Sequence, residues 1–450
     1  MKITLVHPAS DPLCHEAIFG LKAPPLGLAY IAAYLEERGY KPSIIDASAQ
    51  RMSSEDLEPK LKTANPDLVG IYCSITRVKQ SLDAARIAKS LGAAVVLGGP
   101  HATFDLKTLM NNENVDVIVR GEGEDIFTKL AESIESGRSL ENLNGVAYKE
   151  GGTVRVNPEA PLIPNLDTLP FPAFHLLPME YYRICDSIPI CTLSSSRGCS
   201  RKCRYCIVPE MYQGRWRGKT PSRVVDEMEH ISSTYKPTLL LFFDEFFTED
   251  LKRVESIMDE ISGRGLDIKW ACMSTGTDIS RELMIKMHKA GCLALFFGVE
   301  CGVITSTPNP AGGGYGDIVR RAFSNAHEAG IFPIANVVFG FPGETWADYE
   351  NLVQWIIDLD PDHLLFFKAV PYSDFEDDEL THMEILAYKR FYSRRSYILK
   401  HIARSVMRAA KHRQFSIDFA AKYSKWFMKT VTRTEELIDL CQPASAQTHI

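Results

Sequence analysis

Apolar and polar positions in the first 136 residues switch repeatedly between two periods. Short apolar runs at Ile3–Val6, Ser43–Ile45, Leu68–Tyr72, Ala94–Leu97 and Val115–Val119 read as buried parallel strands. Helical patterns follow them at Gly27–Arg38, Ser54–Thr63, Val78–Leu91, Phe104–Met110 and Asp125–Ser136. This alternation predicts an α/β domain over residues 1–139, an open, doubly wound, Rossmann-like parallel sheet. Residues 140–189 are expected to be a linker. It starts with a hairpin over Val146–Val156 that turns at Gly151-Gly152, followed by an extended stretch carrying Pro161, Pro164, Pro170, Pro172 and Pro178.

The same alternation resumes at residue 190. Strands are predicted at Ile190–Ser194, Thr238–Phe243, Lys269–Cys272, Leu293–Val299, Pro333–Phe339 and His363–Val370. Helices are predicted between them at Ser222–Thr234, Leu251–Gly263, Arg281–Ala290, Asp317–Ala329 and Ala347–Leu359. Six βα units imply a partial TIM barrel over 190–377, with its site at the C-terminal strand ends. Residues 378–450 read as a helical region without strands.

The chain has 450 residues, 45% of them apolar and 24% charged, which suits two or three globular domains. The net charge of −7 gives no support to a nucleic-acid partner. Met1–Pro8 is expected to be a strand, not a secretion signal. The longest apolar run, Leu239–Phe247, is too short to span a bilayer and is broken by Asp244 and Glu245. A cytoplasmic protein is therefore expected, and its eleven cysteines should be reduced.

In the N-terminal half, loops of unusual composition follow four of the five strands. They contain Pro25-Leu26-Gly27, Cys73-Ser74-Ile75-Thr76, Gly98-Gly99-Pro100-His101 and Arg120-Gly121-Glu122-Gly123-Glu124. Each could simply end a strand. Together they describe a rim whose glycines let the backbone approach a large flat ligand.

Three cysteines stand apart from the rest. Cys199, Cys203 and Cys206 form a CxxxCxxC motif just after the first strand of the second half. Three thiolates from one loop can ligate three irons of a [4Fe–4S] cluster, leaving the fourth iron open to a substrate such as S-adenosylmethionine (SAM). Arg197, Arg201, Lys202 and Arg204 would offset cluster charge and favour thiolates. The rival readings are a zinc site, which usually requires a fourth ligand in paired spacing, and chance clustering.

This triplet, with Tyr205 before its last cysteine, resembles the radical SAM signature. The whole chain is similar to the large class of radical SAM enzymes with an N-terminal cobalamin-binding domain. That class includes hopanoid-pathway enzymes, the anaerobic magnesium-protoporphyrin ester cyclase and many methyltransferases. The resemblance runs over residues 1–370 and returns at Ala387–Ile398. Its motifs are Pro25–Leu28, Gly98–Thr103, Arg120–Glu124, Leu169–Pro172, the triplet, Phe243–Glu245, Gly298–Gly302 and Gly340–Glu344.

The resemblance implies cobalamin on the rim, held by Pro25, Leu26, Gly27, Ser74, Thr76, Gly98, Gly99, Pro100, His101, Gly121 and Glu122. No Asp-x-His-x-x-Gly signature is present, and in this class the cobalt usually lacks a protein histidine. Around SAM, Asp244 and Glu245 are placed to accept from its amino group, or else form an exposed acidic turn. Ser274 and Thr275 are polar candidates past the third strand. In the family pattern Glu300 lies near the ribose, and the turn Gly340-Phe341 lies on the adenine side. Glu344 either joins that turn or caps the next helix.

The implied activity is reductive SAM cleavage to a 5′-deoxyadenosyl radical, fed by a flavodoxin or ferredoxin type of reductant. Cobalamin-dependent methylation of an unactivated carbon on a small-molecule substrate would follow. A non-methylating radical reaction is the first rival, and a non-catalytic corrinoid sensor is the rival from another class. The sequence departs from the family pattern at Thr305–Gly316 and at Pro371–Leu380. Residues 388–433 hold thirteen Lys or Arg against one acidic residue, Asp418, with aromatics interleaved. They could cover the barrel, lie on an anionic membrane, or bind RNA.

Overall fold

The computed structural model describes residues 1–9, 21–184, 187–201, 203, 205–275, 279–300, 314–369, 373 and 375–412. Of the departures, 305–313, 371, 372 and 374 lie outside the described residues, as do Val370 of the last predicted strand and the basic segment beyond 412. The chain forms two compact units. The first is Met1–Lys202 with Ile207–Arg223 and Ser233–Tyr235. The second is Cys203–Cys206 with Val224–Ser232 and the chain from Lys236 on.

In the first unit, β1 (Ile3–His7), β2 (Ser43–Asp46), β3 (Leu68–Tyr72), β4 (Ala94–Gly98) and β5 (Val117–Val119) are parallel and lie in the order 2-1-3-4-5. Alternate side chains feed two cores. Leu5 packs on one face with Leu28, Leu35, Phe127 and Leu130 of the helices Leu26–Glu37 and Gly123–Ser136. Val6 packs on the other with Leu57, Leu61, Ala84 and Ala88 of Ser54–Ala64 and Val78–Ser90. Burial on both faces explains why these strands read as continuous apolar runs. The order reverses between β1 and β3, and such a switch point opens a crevice at the C-terminal strand ends.

Two features differ from the sequence reading. The hairpin β6 (Val146–Glu150) and β7 (Thr153–Val156) does turn at Gly151-Gly152, but it extends the sheet by pairing antiparallel to β5. A short helix also starts directly at Pro100 (Pro100–Phe104), where a loop is expected. Gly99 makes this abrupt start feasible at φ 107°, since a Cβ there would lie 2.8 Å from the Cys73 carbonyl oxygen. Pro100 then occupies the first helical position, where its missing N–H costs nothing. This unit also holds β8 (Arg183–Ile184), β9 (Ile188–Leu193), β10 (Ser196–Arg197) and β11 (Arg217–Gly218).

The second unit carries β12 (Leu239–Phe242), β13 (Trp270–Ser274), β14 (Cys292–Glu300), β15 (Phe332–Phe339) and β16 (His363–Lys368). All are parallel, with β12 to β16 adjacent in chain order. They belong to a partial barrel, as the βα alternation predicts. One face is sealed by helices: Phe297 meets Phe323, Phe339 meets Tyr349, and Phe366 meets Tyr388.

β16 is the edge strand, and the helix Asp377–Tyr392 and the start of Arg395–His412 cover it. Tyr388 Oη accepts the Phe366 N–H at 2.8 Å. Tyr392 Oη accepts the Leu364 N–H at 3.0 Å and donates to the Leu364 carbonyl at 3.1 Å. Tyr397 donates to the Asp362 carbonyl at 2.5 Å. The described aromatics of the basic segment are therefore core residues that satisfy an exposed strand edge. Over residues 388–404 this fits a barrel cover.

Candidate functional site

The rim residues take their places from the ends of the first unit's strands. Pro25 precedes the helix that Leu26 opens, and a Cβ on Gly27 or on Gly121 would meet nothing within 4 Å. Ser74 and Thr76 hydroxyls lie 3.3 Å apart in an exposed turn after β3. Gly98 ends β4, and its carbonyl accepts the Cys73 N–H at 2.7 Å. His101 stands 3.4 Å from Asp105, one helical turn on. Thr103 Oγ1 donates to the Gly99 carbonyl at 3.0 Å and accepts the Gly121 N–H at 3.1 Å, tying two rim loops together. The open space over Gly27 and Gly121 is what close approach of a broad ligand requires.

Glu122 behaves differently from its rim neighbours. Its carboxylate is buried and takes Arg217 Nη1 and Nη2 at 2.9 Å each, Arg197 Nη1 at 2.9 Å and the Ile163 N–H at 2.7 Å. Arg197 Nη2 reaches Glu124 at 2.6 Å. Burial alone would raise the Glu122 carboxyl, but Arg217 and Arg197 outweigh it and hold the group below its usual range. What Glu122 leaves to a rim ligand is backbone, not charge. The Arg197 guanidinium is engaged by Glu122 and Glu124.

Beside this network, Lys219 is buried and donates to Tyr30 Oη at 2.9 Å. A second buried centre joins Asp46 to His7 Nδ1 at 3.0 Å, Tyr182 Oη at 2.8 Å and the Ala49 N–H at 2.9 Å. Neither centre is visible from sequence, because the side-chain partners lie 39 to 189 positions apart.

The cysteine loop begins at Gly198, whose φ of 84° only glycine tolerates well; a Cβ there would lie 2.1 Å from the Arg215 carbonyl oxygen. Cys199 and Cys206 are half-buried and Cys203 is exposed. The Arg201 N–H points at Cys199 Sγ, 3.4 Å away, and the Cys206 N–H donates to the Cys203 carbonyl at 3.2 Å. An amide aimed at a sulfur supports the thiolate a metal needs. Lys202 and Arg204 lie outside the described residues. Among the described residues no three His, Cys, Asp or Glu side chains already stand at metal-binding range. The fit to a cluster therefore rests on the donor set: three thiols on one loop with a glycine pivot.

In the second unit, Tyr205 packs on Phe341, with ring centroids 4.7 Å apart, which joins the cysteine loop to the turn after β15. In that turn Gly340 has φ 84°, and a Cβ there would lie 2.5 Å from Leu380 Cδ2. Glu344 Oε2 accepts the Gly340 N–H at 2.8 Å and the Phe341 N–H at 3.1 Å. Glu344 thus braces the turn, and Thr345 with Asp348 caps the helix Trp346–Leu359. Glu300 ends β14 in register with Val338. Asp244 is buried and Glu245 half-buried just after β12.

Ser274 lies on the helix side, and so does Asp244, which is near the helix-side Cys272. Ser274 is in register with helix-facing Phe297, and its hydroxyl bonds Thr248 Oγ1 at 2.9 Å and the Thr275 carbonyl at 3.0 Å. Cys272 is buried on the same side, where burial, with Cys292 and Asp244 nearby, pushes its thiol well up. It is an inert core thiol.

Two family models match the chain: the B12 binding domain over residues 17–131 and the radical SAM superfamily over residues 193–356. An uncharacterized methyltransferase of Pyrococcus horikoshii is 33% identical over 375 residues, covering 83% of this chain and 81% of its own. The anaerobic magnesium-protoporphyrin IX monomethyl ester cyclase of Rubrivivax gelatinosus is 27% identical over 381 residues, covering 82% and 68%. Among solved structures, the radical SAM methyltransferase TsrM of Kitasatospora setae, with cobalamin and a [4Fe–4S] cluster bound, superposes with a TM-score of 0.66 at 20% identity, covering 82% and 72%. The chain belongs to the radical SAM superfamily, in the class with an N-terminal B12-binding domain. Its cofactors are a [4Fe–4S] cluster, SAM and cobalamin.

Proposed function

We propose that this enzyme transfers a methyl group to a carbon of a small-molecule substrate by cobalamin-dependent radical SAM chemistry. One observation carries the reading: a B12-binding match and a radical SAM match occur in one chain, with the CxxxCxxC loop inside the second. Bound, the cluster supplies the electron that cleaves SAM, and the cobalamin supplies the methyl carrier. Cys199, Cys203 and Cys206 hold the cluster. Glu245 accepts from the SAM amino group, Glu300 takes the ribose, and the Gly340-Phe341 turn borders the adenine. The Pro25–Gly27, Ser74–Thr76, Gly98–His101 and Gly121-Glu122 backbone cradles the corrin.

The apolar barrel face excludes water from the reacting carbon. A flavodoxin or ferredoxin type of protein delivers the electron, and the enzyme works in the cytoplasm. No helix among the described residues is long and apolar enough to cross a membrane.

The test is anaerobic reconstitution with iron, sulfide and hydroxocobalamin, followed by turnover with methyl-labelled SAM. The expected result is a cluster signal that SAM perturbs, 5′-deoxyadenosine, and label in the product. Replacing the three cysteines with alanine should remove iron and turnover together. The cyclase relative keeps a second reading open: 5′-deoxyadenosine with no label in product would replace methylation by a non-methylating radical step.

A further inference from the structure

The two faces of the second unit's sheet are buried to different degrees. Toward the helices, Cys272, Phe297, Val337, Phe339 and Phe366 are each at most 1% exposed. Their neighbours in sequence point the other way, and there Met273, Phe296, Val338, Leu365 and Phe367 are only half-buried. This second face is a largely apolar surface, and at the level of Gly298 it carries a buried polar side chain. Asn336, on β15, is 7% exposed. Its Nδ2 donates to Met273 Sδ at 3.4 Å. Its Oδ1 is buried and has no hydrogen-bond partner among the described residues.

A buried amide oxygen without a donor is destabilising, and leucine would fill the same space without that cost. Native structures keep such groups where a bound molecule completes them. The register says which molecule. Asn336 pairs with Gly298, which has no side chain to crowd it, and lies two residues before the level of Glu300 and four before the Gly340 turn. These two landmarks are the ribose and adenine positions of the proposed function, on which this inference rests.

We propose that Asn336 Oδ1 accepts a hydrogen bond from the nucleoside part of SAM, through a ribose hydroxyl or the adenine amino group. It is a positioning residue that sets how the nucleoside sits over the apolar floor.

The experiment uses the full chain with its cluster reconstituted anaerobically, and equilibrium dialysis against radiolabelled SAM. Asn336→Leu should weaken SAM binding about tenfold, the loss of one hydrogen bond to a buried acceptor. Its Tm should not fall. Asn336→Ala, which leaves more room, should lose a similar factor. Met273→Leu removes only the sulfur contact and should leave SAM affinity within about twofold. If the Leu and Ala variants bind SAM like the parent, the inference fails, and Asn336 holds a water or a different molecule. A fall in Tm with unchanged SAM affinity also overturns it, since that is the mark of a structural residue. If the parent itself binds no SAM, the family-based assignment of the site fails first and takes this inference with it.

Discussion

Glu122, in the first unit, is surrounded by four donors from two arginines and one backbone amide. Asn336, in the second, has an oxygen that no described residue reaches. Both residues are buried and polar, and both sit near the C-terminal ends of parallel strands. The first is complete without a ligand, because its partners come from segments far apart in sequence that it holds together. The second remains incomplete until something binds. A buried polar group thus reports on binding only after its partners have been counted.

The largest effect expected from breaking this contrast falls on the paired side. Arg197→Ala would strand Glu124 and part of Glu122 in a buried site, a loss of about 3–5 kcal/mol. Denaturant or thermal unfolding of the full chain would measure it. Asn336→Leu should show no such loss, so unequal stabilities sharpen the comparison and equal ones break it.

A smaller effect should follow pH. Glu122 and Asp46 are both held below their ordinary values of 4.5 and 3.8. For Asp46, burial pulls upward, and His7, Ala49 and Tyr182 outweigh it. Carboxyls depressed in the folded state contribute stability above their unfolded values and lose it as pH falls through the folded ones. The Tm should therefore hold from neutrality to about 4.5 and drop below that, and a Tm rising on acidification would contradict the pairing. The smallest change is Tyr392→Phe, which removes two hydrogen bonds to Leu364 and should cost about 1–2 kcal/mol by the same unfolding measurement.

Much of the fold is legible in the sequence because buried parallel strands leave continuous apolar runs. Leu68–Tyr72 and Leu251–Gly263 match their predicted bounds. The hairpin's partner is not legible, since β7 is exposed throughout and carries no mark of which strand its neighbour β6 joins. The helix at Pro100 is hidden because Gly-Gly-Pro reads as a loop, although a left-handed glycine followed by proline also starts a helix. At the site, the cysteine loop is legible from spacing alone. Ser274 is misread because the strand period shows two faces without saying which one the helices cover. Asn336 is overlooked because one asparagine among Ala, Val and Phe still reads as strand. Only the structure shows that its oxygen lacks a donor among the described residues.

The phenol groups that bond β16 have a consequence for where this enzyme can be cut. Three tyrosines from the tail supply what another strand would otherwise supply, so the tail acts as a selvedge for the woven sheet. A chain shortened at residue 376 would present a bare strand margin, open to any extended peptide and to other copies of itself. The catalytic module is therefore longer than its radical SAM match, and it ends only after this tyrosine hem.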